Sequence, residues 1–318
     1  MKSVTSILFM SLIDPLHNGA GEGLGLVDRP IARERPTGFP IIQPSSIKGV
    51  LRRSFGDKWP NPPEKYQVQA LFGPSHGNAE SHAGAVSFGE GQLLAFPIRS
   101  LRGLFVWATT PLILFRFARA VAIRANLDRG DYPAQLGLKD LVEKAGSWGP
   151  SAVRICEGAA VQLAVAQRLI LEEFEYTFEE SPEVTSFAKQ LADVAYGPGS
   201  FLAGELAAKL VVLPHDSFSY FVKNATEVMP NISIGSSGTS EEGLRYTEYL
   251  PRESIMYSLI SYEGALMPAK PADDLAKQFQ ALHGPGAVRT VFEEALPARI
   301  QIGGDETTGK GLVELRVY

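Results

Sequence analysis

Asp28 is the residue in this sequence best placed to do chemistry. It closes a stretch with glycines at 19, 21, 23 and 25 and stands beside Arg29, the first of six basic residues (Arg29, Arg33, Arg35, Lys48, Arg52, Arg53) that share their window with one acid, Glu34. That window carries +5 in a chain whose formal charge is -5, so the rest of the molecule is strongly acidic. A cationic stretch on an acidic body is the footprint of a polyanion site, which points to an RNA or DNA backbone. A carboxylate among cations stays ionised. With a nucleic-acid backbone along the basic run, Asp28 would face phosphates that repel it unless a divalent cation, Mg2+ or Mn2+, lies between them. The competing reading is a loop acid salt-bridged to a neighbouring cation. His17, at the mouth of the glycine-rich stretch, is placed to touch RNA or to assist catalysis, or else to serve as a structural loop histidine.

Other chemistry-bearing patterns fail on spacing. Gly304, Gly309 and Lys310 nearly spell a phosphate-binding P-loop, but Gly311 replaces the magnesium-binding hydroxyl residue and the next segment, LVELRVY, reads as a strand where a helix is needed. The glycines at 19–25 do not fit GxGxxG. The five histidines (17, 76, 82, 215 and 283) and the single cysteine, Cys156, show no zinc-ligand spacing. No GxSxG or Cys/His nucleophile set is present.

The elements that must hold Asp28 and the basic run follow from periodicity and punctuation. Ser3–Leu12 reads as a β-branched and aromatic strand ending at Asp14-Pro15, a first core strand rather than a signal peptide. Residues 17–43 lack periodicity, and a long loop in a compact protein is usually functional. Ser45 is the expected N-cap of a helix Ser46–Phe55 with an apolar stripe of Ile47, Val50, Leu51 and Phe55. Lys48 and Arg52 are i, i+4 partners off that stripe, and the helix N-terminus offers unpaired N–H groups to a phosphate. Residues 56–82 read as a Pro/Gly/His/Asn-rich insertion. A strand is expected at Ala85–Leu94. Helices are expected at Leu112–Asn126, at Pro182–Ala195 capped by Ser181, and at Ser200–Leu213. Residues 172–180 read as a strand with an acidic face. Val228–Ile234 and Arg245–Leu250 flank SGTSEEG as a projecting hairpin, with Ile232, Ile234, Leu244 and Tyr246 forming an apolar face.

Composition sets outer bounds. A chain of 318 residues with 45% hydrophobic and 20% charged residues builds a real core, in one large or two ordinary domains. One cysteine excludes an internal disulfide and suggests a reducing compartment. The apolar run at 101–123 is interrupted by Pro111, Arg116 and Arg119, so it does not span a membrane. These features fit a cytoplasmic protein. A pI near 5.7 fits a subunit that uses its basic face inside an assembly better than it fits a free nucleic-acid binder.

Four separated blocks then match a known family: LHNGAGEGLGLVDRPIARERPTGFPIIQPSSIKGVLR, LFGPSHGNAESHAGAVSFGEGQLLAFPIRSLRGLFVWATTPL, LRYTEYLPRESIMYS and IQIGGDETTGKGL. In them the chain resembles the RAMP superfamily of CRISPR-associated RNA-binding proteins, and within it the repeated backbone subunit of the type III-B (Cmr) RNA-targeting complex. Residues 113–243 add little to the match, and Pro44 stands where the family more often has glycine. The resemblance implies an α+β fold with a ferredoxin-like (RRM-like) core in a single domain spanning 1–318, with a loop insertion at 56–82 and a thumb hairpin at 224–251. It implies copies stacked head to tail along a CRISPR guide RNA, a target RNA paired to that guide, and other Cmr-complex subunits as partners. Asp28 falls on the family's catalytic aspartate, which supports metal-dependent cutting of target RNA at regular intervals through the RNA 2′-OH. Lys48 and Arg52 fall in the helix that faces guide phosphates. Arg33, Ser45, Ser46, Gly309 and Lys310 are further expected RNA contacts. The alternatives are a non-catalytic scaffold that only organises the guide–target duplex, and the equivalent subunit of a type III-A complex, which is typically shorter.

Overall fold

In the computed structural model, β1 (Val4–Leu12) is buried almost throughout, and its unbroken apolar run Ile7–Met10, flanked by the small polar residues Thr5, Ser6 and Ser11, suits a central strand covered on both faces. Residues 4–318 are described, apart from 22, 24, 63, 75–81, 129–130, 160, 162–166, 233–242 and 267–272. After β1 come a long loop, β2 (Ile41–Ile42), α1 (Pro44–Lys58), α2 (Lys65–Phe72), β3 (Val86–Phe88), β4 (Gly91–Arg99), β5 (Phe105–Thr109), α3 (Pro111–Arg124) and α4 (Leu138–Ala145). The middle of the chain holds β6 (Arg154–Ile155), β7 (Arg168–Leu171), β8 (Phe174–Thr177), β9 (Glu179–Glu180), α5 (Pro182–Tyr196), α6 (Phe201–Lys209), β10 (Leu210–Val212) and α7 (His215–Asn224). The remainder is β11 (Glu227–Asn231), β12 (Arg245–Tyr249), β13 (Ile255–Tyr262), α8 (Asp273–Ala281), α9 (Pro285–Ala295), β14 (Arg299–Gln301) and β15 (Leu312–Val317).

The main sheet runs β14-β15-β1-β13-β4-β5-β10-β6-β9. β1 pairs antiparallel with β13, from Val4↔Tyr262 to Ser11↔Ile255, and antiparallel with β15 on its other edge. Helices cover both faces. Phe9 packs edge-on against Phe117 of α3 at 5.8 Å, while Ser6, of opposite parity along the strand, hydrogen-bonds Glu293 of α9 at 2.7 Å. Under the α9 face, Phe55 of α1 meets Phe72, Phe292 and Trp59 at centroid distances of 5.1–5.4 Å. This aromatic cluster anchors the C-terminal end of α1, the helix that carries Lys48, Arg52 and Arg53. The hairpin β11–β12 is a separate two-stranded sheet, with Asn231↔Arg245 its outermost pair among the described residues.

Several expectations need correction. Helix α1 begins at Pro44, with Gln43 at the cap position and no side-chain cap bond, so Ser45 is not the N-cap. Proline at the first helical turn does this by pre-setting φ and lacking the N–H that would go unpaired. The strand expected at Ala85–Leu94 is two strands, broken where Gly89 N–H donates to the Leu259 carbonyl at 2.8 Å. The helix opened by Ser200 stops at Lys209, because Leu210–Val212 leave it to join the sheet between β5 and β6. The segment expected as a loop insertion at 56–82 contains the end of α1 and all of α2, whose Val68, Leu71 and Phe72 are buried in the core. The acidic strand expected over 172–180 is divided between β8 and β9. Ser181 caps α5 as expected, accepting from Val184 N–H at 3.3 Å. The two hairpin strands fall where expected, but the first, expected over Val228–Ile234, ends at Asn231 with Ile232 outside it, while the tip, Ile234 and His76 lie outside the described residues. No helix among the described residues is long and apolar enough to cross a membrane.

Candidate active site

The loop after β1 folds back on itself and lies along strand β12. Single bridges join Leu16 to Leu250, Gly19 to Ile31 and Arg29 to Thr247. Asp28 sits where this loop meets the hairpin. Its carbonyl accepts from Gly23 N–H at 2.8 Å, and its Oδ2 accepts from Tyr246 N–H at 2.7 Å. The next residue, Arg29, donates its N–H to the Tyr246 carbonyl and accepts from Glu248 N–H. The acid is therefore tied to the hairpin's backbone, and Arg29 pairs with Asp305 at 3.5 Å.

Beneath this strand Glu248 gathers the loop's polar groups. Its Oε1 accepts from Arg33 Nη2 at 2.5 Å and from Thr226 Oγ1 at 2.8 Å, and its Oε2 accepts from Ile31 N–H at 3.0 Å. Its carbonyl faces His17 Nδ1 at 2.8 Å. A carbonyl only accepts, so Nδ1 carries a proton, and the tautomer this selects has its lone pair on Nε2, on the other side of the ring. That nitrogen faces Gly19, where a Cβ would stand only 2.8 Å from it. The His17 ring is buried and meets Tyr249 edge-on at 5.7 Å.

These groups open on a cleft of about 910 Å3 whose walls include His17, Asp28, Arg29, Ser46, Arg245 and Gly304. The C-terminal glycine loop closes one side. Gly304 N–H donates to the His17 carbonyl at 2.9 Å, and Gly303, at φ +86°, lies so close to that carbonyl that a Cβ would overlap it. Tyr249 donates its hydroxyl to Asp305 Oδ2 at 2.7 Å, and its own pKa is raised, first by burial and then by that bond to a carboxylate. Asn18 latches the loop to α1: its amide donates to the Ile41 carbonyl, and Ser46 Oγ donates to its Oδ1 at 3.1 Å.

The expected site residues thus divide. His17, Asp28, Ser45 and Ser46 share the first cleft. Lys48 lines a neighbouring one of about 510 Å3, which Ser45 also borders. Arg52 is turned to α2, donating to the Pro74 carbonyl at 2.8 Å, and lines a third hollow with Arg53. Arg33, expected at RNA, is instead directed inward. Besides Glu248 it donates to the carbonyls of Gly38 and Val222, so its fork is engaged in joining loop, hairpin and α7. Lys310 lies over the Tyr249 ring at 5.0 Å with Nζ toward Met229, at the base of the hairpin, and Gly309 is an exposed turn residue at φ +74°. Glu248, Arg29, Asp305 and Tyr249 were not read from sequence as site residues. The third and fourth blocks contain Glu248, Tyr249 and Asp305, and Arg29 enters the sequence reading only as the first cation of the basic run.

Among the described residues, no three of His, Cys, Asp and Glu gather to hold a metal. The donor set that does face the cleft is one hard carboxylate, Asp28. That suits a magnesium-type ion held by one carboxylate together with substrate phosphates, not an all-protein cage.

With a sequence model that matches residues 9–314, the chain belongs to the RAMP superfamily. This is the family its four sequence blocks implied. It is 31% identical over 306 residues to the CRISPR system Cmr endoribonuclease Cmr4 of Pyrococcus furiosus, a match covering 95% of this chain and 92% of the relative. The crystal structure of oligomeric Cmr4 from Pyrococcus furiosus superposes with a TM-score of 0.67 at 25% identity, covering 100% of this chain and 99% of that one. A chain of the type III-B Cmr-beta complex bound to cognate target RNA shares the fold, with a TM-score of 0.72 at 19% identity over 100% and 98% of the two chains.

Proposed function

We propose that this chain is the guide-RNA-binding backbone subunit of a type III-B CRISPR RNA-targeting complex and the endoribonuclease that cuts its target. The observation that carries the reading is the Asp28 carboxylate, held by the Tyr246 amide of hairpin strand β12 and opening on the cleft it shares with His17. The similarity to an endoribonuclease of Pyrococcus furiosus supports it. The unit β1-α1-β4-β13-α9-β15, with antiparallel order β15-β1-β13-β4, supports a ferredoxin-like core. Val228, Ile232, Leu244 and Tyr246 are exposed on the hairpin and give it the apolar face a thumb needs to push between stacked bases. The oligomeric state of the Pyrococcus furiosus relative supports assembly with copies of itself, which the reading stacks head to tail.

In this reading the RNA backbone is gripped without regard to sequence, and base pairing supplies specificity. A nucleotide displaced by the hairpin is freed from A-form geometry, so its 2′-oxygen lines up with the adjacent phosphorus. The 2′-O–P bond forms as the P–O5′ bond breaks, leaving a cyclic phosphate and a 5′-hydroxyl. His17 Nε2 is on hand to take the 2′-proton, and Asp28 orients the nucleotide. Mg2+ or Mn2+ held between Asp28 and the RNA would supply charge neutralisation at the phosphate.

The test is cleavage by the reconstituted complex. Asp28→Ala is expected to bind target normally and to lose the regularly spaced ladder, by about 10²–10⁴-fold in rate. A 2′-deoxy nucleotide at the scissile position is expected to block cutting. A ladder that survives Asp28→Ala assigns the chain to the scaffold role, and cleavage of the 2′-deoxy substrate excludes the internal nucleophile.

A further inference from the structure

We propose that Arg29 is a second catalytic group, a guanidinium aimed by Asp305 and Tyr249 at a non-bridging oxygen of the phosphate under attack. This deepens the endoribonuclease reading and rests on it.

Arg29 is restrained at both ends. Its main chain is bonded on both sides to β12, donating to the Tyr246 carbonyl at 3.1 Å and accepting from Glu248 N–H at 3.0 Å. Its Nη1 lies 3.5 Å from Asp305 Oδ1, and the other oxygen of Asp305 is occupied by the Tyr249 hydroxyl at 2.7 Å. Asp305 itself holds φ +61°, an uncommon backbone conformation for a residue other than glycine. This chain of contacts runs from the C-terminal glycine loop through the carboxylate to a cation on the cleft wall. It gives that loop a task other than cradling a phosphate with its amides: it carries the acid that turns Arg29.

Arg29 and His17 flank one small space. A methyl group placed on Gly304 would stand 3.3 Å from His17 Cδ2 and 3.8 Å from Arg29 Nη2. Glycine keeps that volume open beside the cleft that Asp28 also lines. The Arg29 side chain is 42% exposed, so donors not engaged by Asp305 remain within reach of RNA.

The chemistry has a use for such a group beside any divalent ion. As the 2′-oxygen adds to phosphorus, negative charge grows on the non-bridging oxygens, and a carboxylate by itself offers that charge no donor. A planar fork of N–H donors matches phosphate oxygens, and donors fixed beforehand need no reorganisation when the charge develops. The 2′-proton passes to the basic group in the cleft, O5′ takes up a proton as it leaves, and Arg29 keeps all of its own. Asp305 and Tyr249 are positioning residues that act through it.

The experiment is single-turnover cleavage with target binding measured in parallel, on the assembled, guide-loaded complex carrying Arg29→Ala, Arg29→Lys or Asp305→Asn. Arg29→Ala is expected to cut about 10²–10³-fold more slowly with binding retained. Added guanidinium ion should restore part of that rate, and should not rescue Asp28→Ala. Arg29→Lys, which keeps the charge and loses the fork, is expected to lose at least about tenfold; it decides the matter should the alanine variant fail to assemble. Asp305→Asn is expected to slow cutting, and guanidinium should restore less there because Arg29 still occupies its place. Loss of binding in proportion to rate, or an Arg29→Lys complex that cuts at the wild-type rate, overturns the proposal. Normal cutting by Arg29 variants while Asp28→Ala is inactive sinks this inference alone. Normal cutting by both sinks the endoribonuclease reading with it.

Discussion

Replacing Glu248 by glutamine, Arg33 by methionine, and both together measures what holds the loop after β1 to the hairpin. The two side chains are 8% and 21% exposed and meet at 2.5 Å. At an effective dielectric near 20 and a charge separation near 4 Å, their attraction is about 4 kcal/mol before desolvation is subtracted. Removing one partner of a buried pair costs about 3–5 kcal/mol, since the other charge stays buried without its counter-ion. Glu248→Gln should fall near the lower end, about 3 kcal/mol. Arg33 keeps the carbonyls of Gly38 and Val222, and the amide oxygen still accepts from Ile31 N–H or Thr226. Arg33→Met strands a carboxylate with one N–H and one hydroxyl and should cost about 3–4 kcal/mol. The double variant buries no unpaired charge, so its cost should fall short of the sum by about 2 kcal/mol, within the range seen for contacting pairs. Urea unfolding of the chain, read as a shift of midpoint at unchanged slope, supplies the cycle. A coupling below about 0.5 kcal/mol would refute the argument, for then the two residues would be stabilised by their other partners and not by each other.

Three other expectations can be checked with the same equipment or with the assembled complex. Gly309→Ala and Gly311→Ala separate conformational cost from collision. Both positions have φ near +75°, but Gly309 has open space around it, whereas a Cβ on Gly311 would overlap the Ile302 carbonyl. Unfolding should show a loss of about 1–2 kcal/mol at 309 and clearly more at 311; equal losses would contradict the distinction. Glu253, desolvated by burial, has a raised pKa although Tyr196 donates to it at 3.4 Å. A raised folded pKa favours the protonated form, so its stabilising contribution is present below the ordinary carboxylate range and is lost as pH rises through the folded value. Glu253→Gln should therefore stabilise the chain at neutral pH, with the gain fading in acid, and a gain that grew on acidification would reverse the assignment. The Asp28→Ala and 2′-deoxy experiments complete the set, with loss of the product ladder at retained binding as the expected outcome.

Local signals placed much of the secondary structure. The Ser181-Pro182 pair marked the start of α5, the spacing of Ile47, Leu51 and Phe55 marked the buried face of α1, and the β-branched and aromatic stretch ending at Asp14-Pro15 marked the central strand. Each depends on neighbours within a few residues, where cap geometry and side-chain period act. The family blocks carried Asp28 and His17 to one site for the same reason, since both lie in one stretch of chain. Where local preference met long-range pairing, pairing decided. Leu210–Val212 left the helix that Ser200 had opened because a gap between β5 and β6 took them as a strand.

What the sequence by itself determined is that a basic run with an aspartate and a histidine sits on an acidic, core-forming chain. Which of those charges face outward was decided only by tertiary structure. Arg33 and Arg29 are near neighbours in the same basic run and alike in chemistry, yet Glu248 draws one into a polar network under β12 while Asp305 holds the other at the cleft. His17 acquires its tautomer from a carbonyl 231 residues away. A charged side chain costs too much to bury unpaired, so its direction depends on where the fold happens to set an opposite charge, and that position is not encoded in the residues beside it.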